Sequence, residues 1–353
     1  MPPMPHTPRV AVLYCNLGTP DTPGTPDVKR FLAEFLNDPR VVDMARLPWL
    51  MLLHGYILRK RPALSAAKYA SIWTKEGSPL KVWTEKQAKM LQGWLAERGH
   101  DILVRYAMRY GSVSMASQLD ALMTLGVTHI LVLPAYPQYS ATTTASLWDA
   151  IHQWSQTTRN IPELRFVKHY HDDPRYISAL AGHVRHEWKG RERPNVVVMS
   201  FHGLPARSTE RGDPYHSECL QTGQLLAQAL KLTPTQYKIT FQSRLGRAKW
   251  LEPDTQATLI ELGKAGTQRV DVLCPSFTCD CLETLQEINE EAQTAFLGAG
   301  GKEFHYIACL NNDHAWITAL ADMTLQHLQG WPTTLRTDDA NFADAPPKSR
   351  NSA

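Results

Sequence analysis

Six cysteines (Cys15, Cys219, Cys274, Cys279, Cys281 and Cys309) are too few and too scattered in 353 residues to staple a small secreted domain. No apolar run reaches the roughly 20 residues of a spanning helix. The nearest, Leu47–Leu58, is interrupted by His54 and Gly55. Charge of one sign is also scarce: Lys plus Arg at 37 against Asp plus Glu at 34 leaves +3, which excludes a nucleic-acid footprint. Met1–Val10 holds no apolar core, so no signal peptide is expected and the protein reads as soluble, reduced and cytoplasmic. No strand pattern leads into G-x-G-x-x-G, and neither a phosphate loop, H-E-x-x-H nor G-x-S-x-G occurs. Hydride transfer, phosphoryl transfer and serine hydrolysis are thereby set aside.

What is present is enough apolar residue for a sizeable core, 43% hydrophobic against 20% charged. Short β-branched runs alternate with helical patterns, the signature of βαβ units. Strands are predicted at 9–15, 102–107, 129–133 and 164–167, then at 195–199, 238–241, 269–273 and 303–307. Three of the four matching pairs lie about 136–140 residues apart; the first pair is wider by nearly 50. The pattern predicts a duplicated α/β unit: two Rossmann-like lobes, each a four-stranded parallel sheet flanked by helices, with a cleft between them. The boundaries are 1–172, with an insertion at about 35–85, then 173–330, then a polar tail at 331–353 expected to be unstructured.

Ligands of open parallel sheets sit beyond the carboxyl ends of the strands. His202 stands there in SFHGLP, where an imidazole can accept a proton or hold a borderline metal. Glu283 follows the third strand of the second lobe, and a helix from about Asp280 would put Glu283, Glu287, Glu290 and Glu291 on one face. Such a row can pass protons or a hydrated divalent ion inward. For Glu290 and Glu291 an ordinary solvated face explains the pattern better. Cys279-x-Cys281 fits no standard zinc or iron–sulfur spacing and reads as buried free thiols. His169-Tyr170-His171-Asp172-Asp173 could bind a metal, and a surface loop before Pro174 explains it equally well. Arg109, Tyr110, Tyr139, Ser140, Thr142 and Thr143 are expected on loops facing the cleft, with Trp49, Leu50, Leu52, Leu53 and Tyr56 as an apolar lip. This mixture suits a flat, apolar, acid-bearing ligand.

The motifs NLGTP (16–20), FLNDPRVV (35–42), GSPLKVWTEKQ (77–87), MRYG (108–111) and YPQYSATTT (136–144) resemble those of ferrochelatases. So do SFHGLP (200–205), GDPYHSEC (212–219), FQSRLGRAKWLEP (241–253) and FTCDCLETLQEI (277–288), in order along nearly the whole chain. The resemblance implies insertion of Fe2+ into protoporphyrin IX, the last step of haem synthesis, in a cleft between two Rossmann-like halves. It implies that His202 accepts pyrrole protons or ligates the substrate metal, and that Glu283 faces it as proton acceptor or metal donor, with Glu287 continuing a path. Leu17, Ser78, Arg109 and Tyr110 match porphyrin-contacting positions. Coproporphyrin III is the alternative substrate, and a non-catalytic haem carrier or a cobalt chelatase for a more polar tetrapyrrole the weaker readings. Animal-type members hold a [2Fe–2S] cluster; here no cysteine follows Cys309 and Ala141 stands at the first-half cluster position, so no cluster and no bound cofactor are expected. A second histidine of that type aligns with Cys281, so its role does not transfer. Arg59-Lys60-Arg61 beside the lip would suit peripheral contact of residues 47–61 with an anionic membrane. Oligomeric state is not legible in the sequence.

Overall fold

The computed structural model describes residues 9–244, 246 and 248–334. The first half runs β1 (Val10–Gly18), α1 (Thr25–Asn37), α2 (Arg46–Leu52), α3 (Leu58–Ile72), α4 (Pro79–Glu97), β2 (Ile102–Tyr110), α5 (Met115–Thr124), β3 (His129–Pro134), α6 (Ser146–Ser155) and β4 (Glu163–Phe166). The second runs α7 (Pro174–Glu187), β5 (Val196–His202), α8 (Ala206–Glu210), α9 (Tyr215–Leu230), β6 (Tyr237–Gln242), α10 (Thr255–Lys264), β7 (Arg269–Leu273), α11 (Gln293–Gly298), β8 (Glu303–Tyr306) and α12 (His314–His327). Three π-helical segments join α2 to α3, precede α6 and precede α11.

Both sheets are parallel and share one strand order, β2-β1-β3-β4 and β6-β5-β7-β8. The duplication read from strand spacing is therefore a duplication of topology. The inner strands β1 and β5 are buried along almost their whole length, as parallel strands covered on both faces must be. The extra residues of the first half are α1, α2 and α3, which pack on one another over the strand ends.

Three strands run further than their apolar patterns. Leu17, Arg109, Tyr110 and His202 lie on strand ends rather than on the loops expected, because pairing continues through polar residues, as in Gly18 opposite Tyr110. Gly18 adopts φ +118°, and a Cβ there would meet the Tyr110 carbonyl oxygen at 2.0 Å. Only glycine allows β1 and β2 to stay paired that far.

The halves exchange helices. Although α7 follows β4, it packs against α9, and the indole of Trp188 just after it donates to Asp271 on β7 at 2.8 Å. Although α12 follows β8, it packs against α4 and α7. One apolar core consequently joins Val12 and Leu131 of the first sheet to Val197 and Phe201 of the second, with Tyr176 and Trp316 in contact between them. The segment expected to be unstructured from 331 is pinned through Thr334: Trp331 packs on Arg165 and His129, and Asp101 donates its backbone N–H to the Thr333 carbonyl. Its remainder, 335–353, lies outside the described residues, as do residues 1–8 of the amino-terminal segment.

Candidate active site

His202 is the last residue of β5. Its Nδ1 lies 2.8 Å from the Gly203 carbonyl oxygen, which can only accept, so Nδ1 carries the proton and Nε2 presents a lone pair. Gly203 is required by close approach: its N–H donates to the Gln242 carbonyl at 2.8 Å, and a Cβ would stand 2.3 Å from that oxygen. Gln242, the last residue of β6, then donates its side-chain amide to the Glu283 carbonyl at 2.8 Å. The ends of β5 and β6 and the start of the acidic segment are thus tied in one chain of hydrogen bonds.

That acidic segment, Glu283–Ala292, is a π-helix and not the α-helix expected. Its i→i+5 bonding widens the turn, a device that recurs at functional sites. The four glutamates divide between the site and the solvated face expected for Glu290 and Glu291. Glu283 and Glu287 are half-buried, Glu290 is exposed, and Glu291 pairs across the surface with Lys68 of α3 at 2.8 Å. Glu287 accepts from the N–H and the hydroxyl of Ser243, both at 2.6 Å. Ser243 does so from φ +65°, left-handed backbone that a non-glycine residue holds only under local constraint. Burial raises the Glu287 carboxyl above the ordinary glutamate range; Ser243 and the His202 imidazole pull it down, and the Glu283 carboxylate pushes it up. The His202 imidazole and the Glu283 carboxylate therefore both stand near enough to Glu287 to act on its charge.

The first half closes over this compartment. Leu17 packs, as Phe277 does, on the cluster of Leu80, Cys279 and Cys281, and the Phe277 ring lies 6.4 Å from that of His202; Leu17 also borders the α1–α3 core, as Leu282 and Leu285 do. Tyr69 of α3 feels the Glu283 carboxylate. Ser78 is buried at the start of α4 and accepts from the Thr19 hydroxyl at 2.8 Å.

Arg109 and Tyr110 are gathered by a residue that sequence reasoning missed. Asp38 is buried, and its Oδ2 accepts from Arg109 Nη2 (2.7 Å), the Tyr110 hydroxyl (2.8 Å) and the Ser146 hydroxyl (2.6 Å). Arg109 Nε also donates to Ser146, and its guanidinium stacks 4.6 Å over the Tyr110 ring. Tyr110 is 1% exposed and the Arg109 side chain 20%, so Arg109 is the one that reaches solvent. Burial raises the Asp38 pKa, but the hydrogen bonds of Ser146, Tyr110 and Arg40, together with the Arg109 charge, outweigh it and hold the carboxyl low. Nothing in the FLNDPRVV motif distinguished this aspartate from a surface acid; its partners lie too far along the chain. Tyr139 sits elsewhere, its N–H bonded to Glu218 and its ring 5.1 Å from the Lys168 ammonium.

The expected lip needs correction. Trp49 and Leu53 are core residues, and the Trp49 indole donates to the Leu36 carbonyl at 2.8 Å. The exposed apolar residues are Leu47 (75%), Met51 (69%), Leu52 and Tyr56, with Arg59 and Lys60 exposed beside them. All six cysteines are free and buried, and burial pushes the Cys279 thiol up to about 12. Among the described residues no helix is long and apolar enough to cross a membrane.

A protein-family model described as Ferrochelatase matches residues 9–328. Among curated proteins, ferrochelatases of Methylibium petroleiphilum and Polaromonas sp. are 60% and 61% identical, over 94% and 93% of this chain and 92% and 89% of their own lengths. That of Janthinobacterium sp. is 57% identical over 94% of this chain and 91% of its own. Among solved structures, SirB from Bacillus subtilis with Fe3+ superposes with TM-score 0.52 at 16% identity, over 71% of this chain and 92% of its own. DR2241 from Deinococcus radiodurans, with structural similarity to chelatases, gives 0.52 at 11%, over 95% and 59%. At such identities these two structures bear on the fold alone. The full-length match to the family and the close curated relatives go further: this chain belongs to the ferrochelatases, enzymes that insert a metal ion into a porphyrin.

Proposed function

We propose that the metal is Fe2+, that the porphyrin is the dicarboxylate protoporphyrin IX, and that His202 takes its inner protons. The observation that carries the mechanism is the fixed tautomer: with Nδ1 donating to the Gly203 carbonyl, Nε2 of His202 is free to accept. Two N–H protons must leave as the metal enters. A planar ring shields its nitrogen lone pairs, and bending it exposes them to base and metal. His202 accepts a proton at Nε2. Glu283, and behind it Glu287 with its raised pKa, receive protons or hand the dehydrating ion inward. Arg109, held by Asp38, aims remaining guanidinium N–H groups at a propionate. Leu17 supplies apolar contact to the ring face, and Ser78 a polar group at the border of the substrate.

The preference for the less charged porphyrin rests on the exposed apolar surface of α2 and the segment after it. That surface, with Arg59 and Lys60, would also dock the enzyme reversibly on an anionic membrane from the cytoplasm, a compartment consistent with six free thiols. Turnover should be faster on protoporphyrin IX than on coproporphyrin III when Fe2+-dependent spectral change is followed; faster coproporphyrin metallation overturns the choice. The purified enzyme should also lack the visible bands of a [2Fe–2S] centre. A stoichiometric iron and sulfide content would refute that.

A further inference from the structure

We propose that His169, His171 and Glu218 form a second site for a borderline divalent cation of the Zn2+ class, separate from the compartment of His202. The two histidines come from the segment between β4 and α7 and the glutamate from α9, so the site joins first-half chain to a second-half helix. One ligand atom from each of the three lies within 4.8 Å of the other two. His169 Nδ1 is 2.7 Å from Glu218 Oε1, and His171 Nδ1 is 3.4 Å from Glu218 Oε2. Tetrahedral coordination at about 2.0–2.1 Å separates its ligand atoms by about 3.3 Å, close to the His171–Glu218 spacing, and a cation would displace the proton by which His169 Nδ1 bonds Glu218.

The independent sign is the orientation of His171. This residue is 4% exposed, and its Nδ1 is buried without a hydrogen-bond partner. Its Nε2 lies 3.0 Å from Gln221 Oε1, and the amide of Gln221 is oriented by donating its nitrogen to Asp172 at 3.3 Å. Nε2 must then carry the proton, which leaves Nδ1 an acceptor. In the neutral imidazole an acceptor lone pair and a carboxylate oxygen therefore face each other, a pairing a cation satisfies. Gln221 has the place of the outer partner that fixes the tautomer of a metal-binding histidine. The surroundings are held too: Thr222 donates to the His171 carbonyl at 2.8 Å, Gln138 donates to Thr222 at 3.0 Å, and the Tyr139 N–H donates to Glu218 Oε2 at 2.7 Å. The His169 side chain is 39% exposed, which leaves a route in and room for water as a fourth ligand. Two imidazoles and one carboxylate suit Zn2+, Co2+ or Fe2+ rather than Ca2+ or Mg2+. Bound there, the ion would pin first-half chain to the second-half helix α9.

The test uses untagged full-length protein carrying His202→Ala, Glu283→Gln and Glu287→Gln, which removes the substrate-metal ligands. Titrated with Co2+, this protein should take up one equivalent with a visible ligand-field band, and Zn2+ should raise its melting temperature. Adding His169→Ala, a half-exposed position, should weaken Co2+ binding by about 100-fold or more and remove the thermal shift. Adding Gln221→Ala, exposed on α9, should weaken binding by about 10–100-fold. Circular dichroism without metal checks that each variant is folded. No bound equivalent in the starting protein, or unchanged affinity after His169→Ala, overturns the site.

Discussion

His202→Ala abolishes metallation while porphyrin still binds. The change removes the Nε2 lone pair at the end of β5 and leaves in place Leu17, the proposed contact to the ring face, and the apolar cluster it packs on. A general base is worth about 10²–10⁴ in rate, and deletion of the group proposed to receive the inner protons is expected at the upper end. Fe2+- and Zn2+-dependent absorbance changes of the porphyrin measure the rate, and quenching of protein fluorescence measures binding. Wild-type turnover in the variant would remove His202 from the chemistry. Loss of binding with an unchanged maximal rate would make it a substrate contact only.

Asp38→Ala destabilises the protein by about 2–4 kcal/mol and impairs porphyrin binding at once. Removing one partner of a buried ion pair costs about 3–5 kcal/mol, discounted here because Arg109 reaches solvent. The Tyr110 and Ser146 hydroxyls lose their acceptor as well. Urea midpoints of the two proteins give the difference. Its pH dependence has a definite sign. The folded-state pKa of Asp38 is depressed, so its contribution is complete above the unfolded aspartate value of about 3.9 and is lost as pH falls through the folded value. The gap between wild type and variant should close on acidification. A variant with the same midpoint and the same acid limb would mean that Asp38 holds nothing in place.

The eight strands were legible because β-branched runs bounded by turn residues are local signals. Their ends were not, because Asn16, Arg109 and His202 interrupt an apolar pattern that backbone pairing ignores. His202 and Glu283 could be singled out by their place after strands. The π-helix could not, since the same glutamate spacing reads as one face of an α-helix, and the exposure of Glu290 and Glu291 suits either geometry. Asp38 and Glu218 were hidden for a different reason. Each is one acid among 34 until folding brings its partners from 71 and 49 residues away. The lip was half legible: Trp49 and Leu53 share the composition of Met51 and Leu52 and face the other way.

Crossing of α7 and α12 between the halves limits how the mouth can admit a ligand as wide as a porphyrin. A clamshell motion about the linker would shear Trp316 and Tyr176 out of a shared apolar layer, a far costlier displacement than the loop rearrangements common on ligand binding. The insertion of α2 and α3 is joined to the second half as well, by the Lys68–Glu291 pair on the surface, by Arg207 and Arg211, which bond Asp43 just before α2, and by Leu282 and Leu285 packed against its core, so admission of the ligand falls to side chains and short loops.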